Sequence, residues 1–140
     1  MLDTNVVLDW LVFRNPVCAP LAQGLADGHL LWLATPEMRN ELSHVLARGV
    51  AAAWGPDHGA VWSAWERHAM EVPAVVASGA MSRLRCTDTD DQKFIDLALS
   101  HPARWLLSRD RAVLKLARRS RAFGLDIVTP DAWAALQPAR

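Results

Sequence analysis

Arg104-Trp105-Leu106-Leu107-Ser108-Arg109-Asp110 is the stretch on which the fold class turns. A short apolar run gives way to a small hydroxyl residue and then to an acid, which reads as a buried strand with a polar tip. Leu30–Ala34 and Leu125–Val128 read as strands of the same kind. Met1 and Leu2, with Asp3 at their edge, read as the tail of a first strand. Amphipathic stretches alternate with these runs, which predicts an α/β fold of βα units around a mainly parallel sheet. At 140 residues the chain fits one domain, 1–140.

Helix starts are legible at two strand ends. Thr35-Pro36-Glu37 and Thr129-Pro130-Asp131 share one grammar: a Thr cap, Pro at the first helical position, then an acid in the first turn. The helix from Pro36 to about Arg48 presents Met38, Leu42, Val45 and Leu46 inward, with Glu37, Asn40 and His44 outward. Pro56–Met70 is expected to be helical, with Val61, Trp62, Trp65 and Ala69 on one stripe; the tryptophans are read as core or interface rather than as a stacking platform. A further helix opens at Asp91, with Phe94, Ile95, Leu97, Ala98 and His101 inside and Asp96 outside and solvated. Residues 72–86 are either a short helix or a crossing loop.

Composition narrows the class of function. Hydrophobic residues are 51% and charged residues 21% of the chain, which is globular and not disordered. Formal charge is zero, so bulk attraction to polyanions is excluded as a driving force. Yet basic residues gather late, at Arg109, Arg111, Lys115, Arg118, Arg119 and Arg121, while acids gather at Asp88, Asp90, Asp91 and Asp96. The two cysteines, Cys18 and Cys86, form no zinc-spaced pattern and are expected to be free thiols. No apolar run approaches a membrane span and no secretion signal opens the chain, so the expectation is a soluble cytoplasmic protein.

The acids carry the chemistry. Asp3 and Asp110 each follow a strand, and in a parallel sheet the strand tips share one edge where sites assemble. Either could instead be a helix cap. Glu41 lies at the margin of an apolar stripe, where a carboxylate is costly unless paired or bound to a cation; bending out to solvent is its alternative. Asp91 is in phase with its helix's apolar stripe, and Asp88 and Asp90 crowd beside it, so their mutual repulsion calls for a cation. Hard oxygen donors without suitable Cys or His favour Mg²⁺ or Mn²⁺ over zinc. Such an ion suits phosphodiester hydrolysis, and neither a nucleophile elbow nor a Gly-rich phosphate loop competes with it.

In order and spacing the chain resembles PIN-domain proteins, especially the VapC-like toxin branch of toxin–antitoxin systems. The matching pieces are Leu2-Asp3-Thr4-Asn5-Val6-Val7-Leu8, Thr35-Pro36-Glu37 with Glu41-Leu42 and Val45-Leu46, Asp88 with Asp90-Asp91-Gln92-Lys93-Phe94 and Asp96-Leu97-Ala98, and Trp105 to Asp110 with Leu114. The resemblance implies a three-layer α/β/α sandwich with a central parallel sheet. It implies a metal-dependent endoribonuclease, with Asp3, Glu41, Asp91 and Asp110 as metal ligands and catalytic acids. Thr4 and Asn5 match the residues that brace the first acid, and Ser108 matches the hydroxyl residue that supports the fourth. Homodimers and a cognate antitoxin follow from it too, with RNA as the substrate. Arg83, Arg85, Arg109, Arg111 and Lys115 are candidates for phosphate contacts, Arg109 facing either phosphate or solvent.

Two departures from the pattern stand out. Only two residues precede Asp3, so the first strand is expected to be truncated, with the native start lying upstream of Met1 as one reading. The fourth motif carries Arg109 where the family often has Gly. Two other classes compete: a catalytically inactive PIN-like module that binds an antitoxin or nucleic acid, and a phosphotransferase using Asp3 as nucleophile. The second needs another strand-tip Asp two residues on, and position 5 is Asn.

Overall fold

The computed structural model describes residues 1–49, 54–74 and 84–137. Among the described residues, four short strands run parallel in two pairs. β1 (Trp32–Ala34) pairs with β2 (Ala69–Glu71), and β3 (Trp105–Leu107) pairs with β4 (Asp126–Val128). Residues 1–3 lie against β3 as a further parallel partner. Met1 N donates to Trp105 O at 3.0 Å, Leu107 N to Met1 O at 3.0 Å and Asp3 N to Leu107 O at 2.9 Å. Among the described residues no backbone hydrogen bond joins residues 1–3 to β1. The expected mixed α/β fold with parallel strands is therefore present, with the strands in two separate pairs, one of them extended by residues 1–3.

Eight helices of the described residues surround these strands: α1 (Thr4–Leu11), α2 (Ala19–Ala26), α3 (Pro36–Ala47), α4 (His58–His68), α5 (Gln92–Ser100), α6 (Arg111–Leu114), α7 (Ala117–Ser120) and α8 (Pro130–Leu136). The two Thr-Pro starts behave as read. Thr35 Oγ1 accepts from Met38 N at 3.3 Å and Thr129 Oγ1 from Ala132 N at 3.3 Å. Each thus satisfies an amide that the first helical turn leaves without a partner. α1 carries Val6 and Val7, which are modest helix formers, but both are buried and packing overrides propensity.

Three expectations change. The helix over Pro56–Met70 starts at His58 and stops at His68, and Ala69–Glu71 becomes β2. Pro73 biases Val72 toward extended backbone, Val72 N donates to Ala34 O at 2.8 Å, and Trp65 Nε1 holds Glu71 Oε1 at 2.8 Å. His101 is exposed and not on an inner stripe, because Pro102 ends α5 one residue earlier. Asp96 is half-buried rather than solvated, and it accepts from Gln92 Nε2 at 2.9 Å. Part of the 72–86 stretch, with Arg83, lies outside the described residues.

The core is one contiguous cluster that includes Val6, Leu42, Phe94, Ile95, Leu106 and Val113. Trp65 belongs to it, edge-on to Trp32 at 4.8 Å, while Trp62 is half-buried beneath Arg39. Cys18 and Cys86 are both free and buried. An apolar groove of about 560 Å³ opens at the N-terminal ends of the strands, lined by Met1, Leu31, Met70 and Trp105 among others. The acids gather at the other end, where the strands run out. No described helix is long and apolar enough to cross a membrane.

Candidate metal centre

The site begins at the tips of the first segment and β3. Ser108 is fully buried, and its hydroxyl faces two acids at once. Its Oγ donates to Asp3 Oδ2 at 2.6 Å and accepts from Asp110 N at 3.0 Å. One hydroxyl has a donor and spare acceptor capacity, so it fixes both residues. Asp3 is 3% exposed and occupies the cap position of α1, yet its side chain caps nothing. Asp110 does act as a cap. Its Oδ1 accepts from Ala112 N at 2.8 Å, so the capping reading holds for Asp110 alongside any other role.

Asp91 comes from another direction, at the end of the 3-10 turn Thr89–Asp91 that leads into α5. It is 7% exposed, and its Oδ2 is buried with no hydrogen-bond partner. Asp88 caps that turn, accepting from Asp90 N at 3.0 Å. One carboxylate oxygen each from Asp88, Asp91 and Asp110 lies within 4.8 Å of the others. The structure thus brings Asp91 and Asp110 together and adds Asp88, which the sequence shows only as part of a crowded acidic run.

Electrostatics records the crowding. Burial, a hydrogen bond with Asp110, and the charges of Asp3, Asp110 and Asp88 push Asp91 up to about 8. Burial also raises Asp3, and Glu41 and Asp110 add to the rise, while the Ser108 hydroxyl and the Thr4 N–H oppose it. Several carboxylates in one partly dry space cannot all ionise without a compensating cation.

Glu41 reaches the site from α3 but stands outside the three-acid group. Its Oε2 is buried and meets Lys93 Nζ at 2.5 Å as an ion pair without hydrogen-bond alignment. Lys93 Nζ also donates to Asp90 O at 2.8 Å. Glu41 therefore faces the core margin rather than bending out to solvent, and an ammonium group accompanies it. Asn5 Oδ1 accepts from Arg109 N at 3.3 Å, and Thr4 is buried beside Asp3. The Arg109 side chain is half exposed, and its Nη1 is paired with Asp9 Oδ2. Arg85, Arg111 and Lys115 are exposed.

The donor set fits a hard divalent cation. Among the described residues the grouped ligand atoms are carboxylate oxygens, and the Cys86 thiol is pushed up, chiefly by burial, away from its metal-binding thiolate form. The unpartnered Asp91 Oδ2 is the buried polar atom that such an ion would satisfy.

The PIN-domain family profile matches residues 1–112. This chain is a member of the PIN-domain family. No curated protein and no solved structure matches it significantly. PIN domains are generally metal-dependent nucleases, and the matched span ends just past Asp110, enclosing Asp3, Glu41, Asp88 and Asp91.

Proposed function

We propose that this PIN domain is a metal-dependent endoribonuclease, the toxin of a toxin–antitoxin pair, working as a cytoplasmic homodimer whose cognate antitoxin blocks the acidic site. The observation that carries the nuclease reading is the convergence of one carboxylate oxygen each from Asp88, Asp91 and Asp110 within 4.8 Å, beside a buried Asp91 whose Oδ2 has no hydrogen-bond partner. In this reading Asp3, Glu41, Asp91 and Asp110 hold Mg²⁺ or Mn²⁺, and Asp88 widens the cup. Held there, such an ion would supply charge neutralisation at phosphate oxygens and a water acidic enough to attack phosphorus.

The chain's own residues do the rest. Ser108 holds the Asp3 carboxylate and the Asp110 backbone N–H through one hydroxyl, so the cup is built before an ion arrives. Thr4 and Asn5 brace the same corner. Arg111 and Lys115, both exposed on the Asp110 side, supply phosphate contacts, and RNA binding is accordingly salt-sensitive.

The test is cleavage of a panel of single-stranded and hairpin RNAs with Mn²⁺ or with chelator. Asp3→Asn and Asp110→Asn should each abolish Mn²⁺-dependent cutting while the circular dichroism spectrum is retained. Undiminished cutting by both variants sinks the proposal. Tight Mn²⁺ binding without cutting points to the catalytically inactive binding module.

A further inference from the structure

Asp9 lies outside the acid cluster, yet it is 5% exposed on α1, an expensive place for a carboxylate. It sits four residues after Asn5, so the two share one helix face. Both reach for the same residue. Asn5 Oδ1 accepts the Arg109 backbone N–H at 3.3 Å, and Asp9 Oδ2 takes the Arg109 guanidinium through Nη1. Arg109 stands between Ser108, which holds Asp3, and Asp110, which belongs to the three-acid group.

The asymmetry of the pair is informative. The Asp9 side chain is 6% exposed and the Arg109 side chain 53% exposed. The buried carboxylate is the fixed point, and the arginine reaches in from the surface to meet it. A charge-assisted bond to a planar guanidinium is stronger and more directional than a neutral one. The turn at 108–110 is therefore fastened to α1 at its backbone and at its side chain, a hundred residues apart in sequence.

From this geometry we infer that Asp9 and Arg109 are a positioning pair for the metal cup. They hold the 108–110 turn against α1 and so set the separation of the Asp3 and Asp110 carboxylates. The inference rests on the nuclease reading above, and it assigns Arg109 to the protein rather than to RNA phosphate.

Asp9→Asn should shift the Mn²⁺ midpoint of thermal stabilisation to roughly 10–100-fold higher concentration, the usual scale for a residue supporting a metal ligand. kcat should fall, with KM and the salt dependence of RNA binding unchanged. Arg109→Ala should do the same, the double variant should be no worse than either single one, and Arg109→Lys should recover part of the loss. Independently of any metal, the Arg109 and Asp110 amides should exchange hydrogen faster in Asp9→Asn, with α2 and α8 amides as unchanged internal controls. If Asp9→Asn does not fold, Arg109→Ala alters the exposed partner and gives the same readings. Unchanged Mn²⁺ midpoint and exchange rates would overturn the inference. So would an Arg109→Ala variant with raised KM, a flatter salt dependence and an intact Mn²⁺ midpoint. A wild-type protein indifferent to Mn²⁺ would overturn the nuclease reading instead, and exchange at 109 and 110 would still decide the pair.

Discussion

Lys93 places a positive charge where the acids need one. Its ammonium lies on Glu41 and on the Asp90 carbonyl, so a divalent cation entering the cup meets both an attractive field and a resident competitor. Lys93→Met should tighten Mn²⁺ binding by about tenfold, since one nearby unit charge at partly exposed positions is of that scale. The same change should cost the ion-free protein about 1–3 kcal/mol by stranding the buried Glu41 oxygen. A weaker Mn²⁺ midpoint in this variant would show that Lys93 helps hold the site open for the ion. Asp91 offers a second test. Its carboxyl is held near 8, far above the usual 3.8, so between those values the folded chain keeps a proton that the unfolded chain has lost. That contribution is complete below about 3.8 and disappears as the pH rises through about 8. In chelator, the wild type should therefore lose melting temperature from pH 6 to pH 8 relative to Asp91→Asn. Parallel melting curves across that range would refute the shift. Sequence made Asp91 legible through its phase with Phe94 and Ile95. It hid Asp88, because three neighbouring acids look alike until the 3-10 turn gives each a direction.

Helix α3 delivers Glu41, and its first turn depends on Thr35. That cap is buried, unlike the exposed bond of Thr129, so losing it strands the Met38 amide away from water. Thr35→Ala should cost about 1–2 kcal/mol in urea unfolding, and Thr129→Ala less. Equal losses would mean that burial of the cap does not matter. Elements with a strong local signal were readable in advance: both Thr-Pro helices, and β3 with its polar tip. β2 was not, because Ala69–Glu71 has no strand composition of its own. Its extended form comes from the open edge of β1, from the Trp65–Glu71 bond and from Pro73, and the first of these acts only after folding brings distant parts together. The Asp9–Arg109 pair escaped the sequence for the same reason.

At the scale of the molecule, the proposed ion would join parts that secondary structure leaves loosely connected. Glu41 follows β1, Asp91 precedes β3 and Asp110 follows it, whereas among the described residues no backbone hydrogen bond joins the β1–β2 pair to the β3–β4 pair or to residues 1–3 beside it. Mn²⁺ at a hundred times its dissociation constant should add about 2.7 kcal/mol to the wild type. Asp3→Asn should gain much less at the same concentration, as a thermal-shift titration would show; equal gains would remove Asp3 from the ligand set.

Three residues at the front of the chain thus serve two masters. Leu2 bridges to Leu107 and extends the β3–β4 pair by one more parallel segment, and the next side chain along is the first acid of the proposed cup. Trimming the chain from this end cannot separate folding from chemistry, since both would go together. A silent but intact version has to be made by exchanging single atoms, oxygen for nitrogen at a carboxylate, with the backbone left whole.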